Sequence, residues 1–489
     1  MVNSEFRVRF APSPTGPFHI GGARSALFNW LLAKKQGGTL VLRIEDTDLE
    51  RSSRESEENI KSALRWLGIV WNEGIDAGGA YGPYRQTERL EFYQQYTDKL
   101  ISEGKAYYCY CSEDELEAER QELSGKGETP RYLGRCRHLS EAQKQQFIAE
   151  GRKPTVRFHV PEHQQIVFSD QVRGVVSFES DGIGDFVIVK SDGIPVYNYA
   201  VVIDDALMHI SHVIRAEEHL SNTPRQILLY QALGFQTPAF GHISLILGKD
   251  RTKMSKRHGA TSVDQYRNLG YLPEAIVNFL ALLGWAPAGE QELFTSEELI
   301  EQFSMDRVAK NPAVFDIDKL NWINAQYIKK LTADQLLALT LPHLIKSGYV
   351  NEEDLTPEKK AWLEMVVWAV REQLSFGAQI VDHVGIFFSD EFEFESQEAR
   401  DILLDPDIPQ VMDAFRDKLA AVETLDIPAT QALMKSIAKE LKLPNKKVFM
   451  PIRVALTGQM HGPELFSLAP ILGKERSLKR LERSLERVR

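Results

Sequence analysis

The residues able to do chemistry gather in two short stretches more than two hundred positions apart. The first, "APSPTGPFHIGG" (residues 11–22), packs three prolines, three glycines and one histidine into twelve positions. Proline lacks a backbone donor and glycine lacks a side chain, so this stretch is neither a helix interior nor a central strand. It does precede a helical run, and a helix N-terminus offers free amides and partial positive charge to phosphate groups. Gly16, Gly21 and Gly22 leave backbone bare enough for a flat ring or a polyphosphate to approach, and His19 can donate to a phosphate oxygen. The second, "GKDRTKMSKRHGA" (248–260), sets Lys249, Arg251, Lys253, Lys256, Arg257 and His258 around Met254 and Ser255, with glycine near each end. Mobile cations of this kind suit a pyrophosphate leaving group, whose charge builds up in the transition state. Each stretch alone also fits a plain reading, a proline-rich turn and a solvated basic face.

Elements that would hold these loops are visible around them. "FRVRF" reads as a strand, "ARSALFNWLLAKKQ" as a helix with Ala23, Ala26, Leu27, Trp30 and Leu31 on one face, and "TLVLRIED" as a second strand. Further along, "VYNYAVVIDD" (196–205) and "HISHVIRAEE" (209–218) read as strands. "TPRQILLYQALG" follows as a helix with a Thr-Pro start and a Gly stop. Between the halves, 103–193 is a mixed segment with short strands such as "TVRFHV" and "DFVIVKSDG". It has the pattern of an insertion into the sheet domain. After about residue 320, helical spacing takes over in "ADQLLALTLPHLIKSG", "ATQALMKSIAKELKL" and "SLKRLERSLERV". The expected class is α/β, a parallel-sheet domain with an α+β insertion, followed by an all-α domain. The expected boundaries are 1–102 and 194–240 for the sheet, 103–193 for the insertion, 241–320 for the basic loop and a connecting helical region, and 321–489 for the helical domain.

Composition narrows the function classes. The 489 residues carry 58 Lys and Arg against 69 Asp and Glu, a net charge of −11. That balance argues against non-specific coating of nucleic acid, while a local basic face can still bind RNA. No apolar run approaches the ~20 residues of a membrane span, and the N-terminus lacks the pattern of a secretory signal, so a cytoplasmic protein with no membrane partner is expected. "CYC" (109–111) and "CRH" (136–138) hold every cysteine, with 24 residues between the pairs. Cys109, Cys111, Cys136 and His138 could clamp a short loop around a structural Zn²⁺ in tetrahedral Cys₃His ligation, with Tyr132 a spare ligand. Three reduced thiols are the alternative.

"FHIGG" followed by "KMSKR" resembles the paired signatures of class I aminoacyl-tRNA synthetases. The longer stretches "RFAPSPTGPFHIGGARSALFNW", "LRIEDTDLERS", "VYNYAVVIDD", "HVIRAEEHLSNTPRQ" and "KMSKRHGA" together resemble the glutamyl-tRNA synthetases, and the likeness runs from residue 7 to the C-terminus. One position departs from the general class pattern: Gly22 stands where a second histidine is usual. The resemblance implies a Rossmann-type catalytic domain, an inserted acceptor-stem domain and an α-helical anticodon domain. It implies ATP with Mg²⁺ held by Pro12, Gly16, His19, Gly21, Gly22, Met254, Ser255 and Lys256. In that scheme His19, Lys256 and, secondarily, Lys253 are catalytic, His19 on the phosphates and Lys256 on the leaving group.

A glutamate pocket must meet two carboxylates and an ammonium, so it needs buried charge of both signs. Arg9, Arg215 and Glu45 are the candidates. The resemblance implies Glu45 on the α-ammonium, Ser13 and Tyr197 along the wall, and Arg9 and Arg215 on carboxylate oxygens. A glutamine-specific enzyme has no use for the second arginine, which sets glutaminyl-tRNA synthetase behind. A shorter relative that glutamylates a modified tRNA base is set behind by the helical half, which it lacks. Lys446, Lys447 and Arg453 in "NKKVFMPIRVALTG" are the expected contacts to a splayed anticodon loop. The expected substrates are L-glutamate and tRNA(Glu), with tRNA(Gln) a further acceptor if the helical domain tolerates either base class at the third anticodon position. The resemblance also suggests that activation requires bound tRNA. Nothing in the sequence calls for an obligate dimer, so a monomer is expected.

Overall fold

The computed structural model describes residues 5–488, without the side chain of Lys256. The chain divides into two units, one running to Gln265 and including Ile276–Asp316, the other made of Tyr266–Ala275 and the chain from Ile317 onward. The first unit is built on Arg7–Phe10 (β1), Thr39–Leu42 (β2), Glu73–Gly74 (β3), Ala106–Cys109 (β4), Thr155–Phe158 (β5), Gln165–Asp170 (β6), Gly174–Glu179 (β7), Phe186–Val189 (β8), His212–Ala216 (β9) and Ala239–Ile243 (β10). Its main sheet has the order β3-β2-β1-β9-β10-β6-β7, parallel except for the β6–β7 hairpin. Register pairs Arg7 with Thr39 and Phe10 with Leu42 on one side of β1, and Ile214 with Gly241 across β9 and β10.

β1 is buried throughout, as expected of a parallel strand covered on both faces. The helix Ile20–Lys35 crosses from β1 to β2, and twelve of its sixteen residues are buried, including Arg24 and Asn29. Asn29 Nδ2 donates to the Ile214 carbonyl, which ties this helix to β9. The helix Thr223–Leu233 crosses from β9 to β10, with Pro224 in its first turn and Gly234 left-handed at its end, φ 74°. The connections after β1 and β9 thus leave toward opposite edges of the sheet. Their carboxyl ends border the crevice where doubly wound sheets bind ligands.

Two sequence expectations change here. The stretch 196–205 is the helix Tyr197–Leu207, not a strand. Its β-branched run favours a strand by propensity, but Tyr199–Asp205 are all buried, and a short apolar run does not by itself distinguish the two. The segment between the sheet halves is also less separate than its texture suggests. β4, β5 and β8 form their own antiparallel sheet, but β6 joins the main sheet beside β10 through the pair Phe240 and Asp170.

The second unit is helical. Ala333–Lys346, Pro357–Val370, Ile408–Ala421, Ile427–Glu440, Asn445–Thr457 and Leu468–Val488 enclose a core of Leu, Ile, Val, Met and Phe. The last of these breaks at Gly473, φ 75°. Its C-terminal turns bury Leu481 and Val488 and pack Leu478 and Leu485 against the same core, as the three- and four-residue spacing requires. Among the described residues, no helix is long and apolar enough to cross a membrane.

Candidate active site

The proline-rich loop leaves β1 and is pinned by its own backbone. The Pro12 carbonyl accepts from Glu45 N (3.1 Å), the Pro14 carbonyl from Ser53 N (3.0 Å), and Phe18 N donates to Asn59 Oδ1 (2.9 Å). His19 occupies the N-cap of the helix Ile20–Lys35 without spending its imidazole on capping, and the residue is exposed. The residues after the basic loop meet this corner directly. Ile20 N donates to the Thr261 carbonyl (2.9 Å), Val263 N to the Phe18 carbonyl (3.0 Å), and His19 pairs with Ser262. Two motifs remote in sequence are therefore stitched together by main-chain hydrogen bonds.

The basic loop has its own bracing. Lys253 pairs with Leu247, and Met254 N donates to the Ile246 carbonyl at 3.1 Å. His258 accepts from Ser255 N at Nδ1 (3.0 Å) and reaches Asp250 Oδ1 through Nε2 (3.1 Å). Lys253 Nζ sits 2.6 Å from Glu218 Oε2. The Lys256 side chain lies outside the described residues.

Both loops border one cavity of about 1580 Å³. Pro12, Ser13, Gly16, His19, Gly21, Gly22, Lys253, Met254 and Ser255 line it together with Arg9, Glu45, Tyr197 and Arg215. A Cβ at Gly16 or Gly21 would touch no protein atom within 4 Å, so the space beside those glycines is the cavity's own. Gly22 differs: its Cβ would fall 2.8 Å from the buried Phe18 ring. Packing against Phe18 thus accounts for glycine at the position where the class pattern has histidine.

Behind Arg9 and Glu45, which line the cavity, lies a network of buried charges. Arg9 Nε lies 3.3 Å from both Asp205 oxygens, Arg43 Nη1 2.8 Å from Asp205 Oδ1, and Arg43 Nη2 3.0 Å from Glu45 Oε1. Burial pushes the Asp205 carboxyl up, but Arg9 and Arg43 outweigh it and hold the group below the usual range. Glu45 goes the other way. Burial raises it, and Arg43 and Arg9 offset this only in part.

Arg215 is the exception among these cations. It is 6% exposed, and among the described residues no carboxylate lies within ion-pair distance of it. Its donors go to neutral groups: Thr223 Oγ1 (2.9 Å), Gln226 Oε1 (2.8 Å), His242 Nε2 (3.1 Å) and the Tyr197 hydroxyl (3.4 Å). Burial correspondingly lowers its pKa. His219, 3.2 Å from the Tyr197 hydroxyl, is driven down to about 4 by burial and by Arg215, so it is neutral at pH 7. A buried cation without an anion, beside a buried carboxylate with a raised pKa, can receive a ligand that carries both charges.

The thiols form a second site. Cys109, Cys111 and Cys136 bring their sulfurs within 4.8 Å of one another, with Cys111 and Cys136 3.6 Å apart. Ligands 2.3 Å from a tetrahedral zinc would stand about 3.8 Å apart, so the three thiols fit such an ion. The expected fourth ligand does not join them. His138 is exposed at the end of the turn that buries Cys136, and it lies outside the cluster. The Tyr132 hydroxyl is there instead, 3.5 Å from Cys109 Sγ and 3.6 Å from Cys111 Sγ. Hydrogen bonding with Cys111 and Cys136 pulls the Cys109 thiol well below its ordinary range, and Cys111 is pushed up in turn.

In the helical unit, the expected tRNA contacts lie on Asn445–Thr457 but face different surroundings. Lys446 is exposed. Lys447 reaches Asp407 at 2.9 Å and Asp405 at 3.4 Å. Arg453 is half-buried and donates to the Pro463 carbonyl at 2.7 Å, which makes it a brace for that loop.

Sequence reasoning missed Arg43, Asp205, His219 and His242. Arg43 stands two residues from Glu45 in "RIED", a visible signal, because strand residues i and i+2 share a face. The others become neighbours only through the fold.

Comparison with known families fits this geometry. Residues 5–322 match the family of class I tRNA synthetases (E and Q), catalytic domain, and residues 335–485 match an anticodon binding domain. The chain belongs to the class I tRNA synthetases of the glutamate and glutamine branch. Within that branch it is similar to the glutamate–tRNA ligase of Desulforamulus reducens, at 60% identity over 98% of this chain and 99% of the relative. It is 51% identical to the glutamate–tRNA ligase of Bacillus subtilis, over 98% of this chain and all of the relative. A crystal structure of a glutamate tRNA ligase from Elizabethkingia meningosepticum, in complex with its amino acid, superimposes with a TM-score of 0.87 at 33% identity, covering 99% of this chain and 100% of that one.

Proposed function

We infer that the chain joins L-glutamate to the 3′ end of tRNA(Glu) in two steps, and that the cavity between the two loops is where both occur. The α-carboxylate of glutamate attacks the α-phosphorus of MgATP, the bond to the bridging oxygen breaks, and pyrophosphate leaves. A hydroxyl of the terminal ribose then attacks the mixed anhydride and AMP departs. No covalent bond to the protein is needed, so its contribution is positioning and charge stabilisation. His19, exposed at the helix N-terminus, donates to the phosphates together with first-turn amides. Lys253, and Lys256 from the same loop, meet the charge that grows on the leaving group. Glu45 takes the α-ammonium, Arg9 and Arg215 take carboxylate oxygens, and Ser13 and Tyr197 line the amino-acid end.

One observation carries the choice of glutamate: Arg215 is a buried guanidinium whose partners are all neutral. An amide side chain would leave that charge uncompensated, whereas a carboxylate completes it. Lys446 offers an exposed cation for the tRNA backbone. A structural zinc on Cys109, Cys111, Cys136 and Tyr132 would bind the loop that follows β4, with no open position for chemistry.

The test is ATP–pyrophosphate exchange with glutamate or glutamine, with and without tRNA, followed by charging of tRNA(Glu) and tRNA(Gln) transcripts. Exchange is expected with glutamate alone of the two, and His19→Asn lowers its kcat by about 10²-fold, the typical effect of one preorganised donor. Exchange at background with glutamate and tRNA both present overturns the reading, as does a preference for glutamine.

A further inference from the structure

Arg215 does not choose its own orientation. Its Nε donates to His242 Nε2 at 3.1 Å, and His242, 0% exposed, hands Nδ1 to Asp170 Oδ2 at 2.6 Å. Asp170 is locked in turn. Its Oδ1 accepts from three main-chain amides, Arg173 (2.8 Å), Val172 (2.9 Å) and His242 (3.2 Å), which leaves Oδ2 to the imidazole. With its proton on Nδ1, a neutral imidazole presents a lone pair at Nε2, as the guanidinium requires. Asp170 ends β6, a strand of the segment inserted between the sheet halves. Arg173, in the turn that follows, donates to the His242 carbonyl and pairs with Glu217, just beyond β9.

We propose that Asp170 and His242 are positioning residues that aim the Arg215 guanidinium at the amino-acid side chain, so that selection of an anionic substrate depends on a carboxylate supplied by the inserted segment. The proposal rests on the reading of Arg215 as a carboxylate seat. The intervening imidazole has a physical purpose. A carboxylate in direct contact with Arg215 would neutralise it and compete with the substrate, whereas a neutral acceptor orients the cation and leaves its charge unspent. Asp170 acts from one ring's width away, fixing the tautomer rather than the charge.

Asp170→Asn tests this without changing shape. The three amides hold the asparagine oxygen where Oδ1 stands, so its NH₂ must face His242 Nδ1. That nitrogen then becomes an acceptor, the ring proton moves to Nε2, where Thr223 Oγ1 at 3.0 Å can take it, and the Arg215 Nε donor loses its acceptor. In ATP–pyrophosphate exchange with tRNA present, the KM for glutamate is expected to rise at least tenfold while the KM for ATP stays within about twofold. Preference for glutamate over glutamine is expected to fall by a similar factor. A ¹⁵N spectrum of histidine-labelled protein, with His242→Gln used for assignment, should show the ring proton on Nε2 instead of Nδ1. His242→Leu is expected to reproduce the KM change. His242→Gln, whose Oε1 can stand where Nε2 stood, is expected to recover most of it.

The relay falls if Asp170→Asn and His242→Leu leave the KM for glutamate within twofold while Arg215→Gln raises it, or if the KM values for glutamate and ATP rise together. An unchanged KM in Arg215→Gln itself overturns the carboxylate seat instead.

Discussion

Arg215→Gln should separate function from stability in one protein. In the free chain the substitution removes a 6%-exposed guanidinium that, among the described residues, has no carboxylate in ion-pair contact. Desolvation of such an ion costs several kcal/mol, which the neutral variant does not incur. Against that, the variant loses hydrogen bonds to Thr223, Gln226 and His242, each worth about 1.5–3 kcal/mol when the donor is charged. The two terms are of the same order and partly cancel, so the ligand-free protein should melt within several degrees of wild type. Glutamate binding has no such cancellation. Truncating one partner of a desolvated charge pair costs about 2–5 kcal/mol, or roughly 30-fold to several thousand-fold in kcat/KM. The assays are pyrophosphate exchange over a glutamate titration and thermal melting with and without glutamate. Saturating ligand at a hundred times its dissociation constant adds about 2.7 kcal/mol to wild type and should add about 0.9 kcal/mol or less to the variant. A ligand-free melting point lowered by ten degrees or more, with kcat/KM reduced less than tenfold, would show that Arg215 is a structural brace and refute the argument.

Two further outcomes follow from groups away from the amino-acid pocket. Burial alone would raise Glu57, but the hydrogen bonds and charge of Arg85 overturn that and leave it below the usual carboxylate range. A depressed folded value stabilises above the unfolded pKa of about 4.3, and the gain drains away as pH falls through the folded value. Urea melts from pH 7 to pH 3 should therefore show Glu57→Gln less stable at pH 7, with the gap to wild type closing toward pH 3; a constant gap contradicts the linkage. Metal analysis of the purified chain should give one zinc per molecule, lost in Cys111→Ser, weakened in Tyr132→Phe and retained in His138→Ala; loss in His138→Ala would reinstate the histidine as a ligand.

How much of this was legible in the sequence depends on the reach of each interaction. The loops 11–22 and 248–260 could be picked out because proline, glycine and clustered charge act locally, and their helix start and turn chemistry need no distant partner. The thiol site was half legible for the same reason. Cys109 and Cys111 alternate along one extended stretch, but the fourth group depended on which way a turn presents its side chains, and there Tyr132 outdid His138. The helix at 197–207 misled because its signal, a run of β-branched residues, reports burial as readily as strand.

The charges of the pocket show the limit most clearly. Arg9 and Asp205 are 196 positions apart, and Asp170 and His242 are 72 apart. A sequence reading can name Arg9 and Arg215 as cations suited to a carboxylate, yet it has no means of telling which of them is already neutralised. The structure separates them. Arg9 shares Asp205 with Arg43, whereas Arg215 meets only neutral acceptors, so two arginines that look equivalent in the sequence differ in the charge they can still offer a ligand. Substituting them should therefore have unlike effects on the free protein: removing Arg9 breaks a direct contact with a buried carboxylate, while removing Arg215 takes away only a weaker, longer-range attraction to the same Asp205.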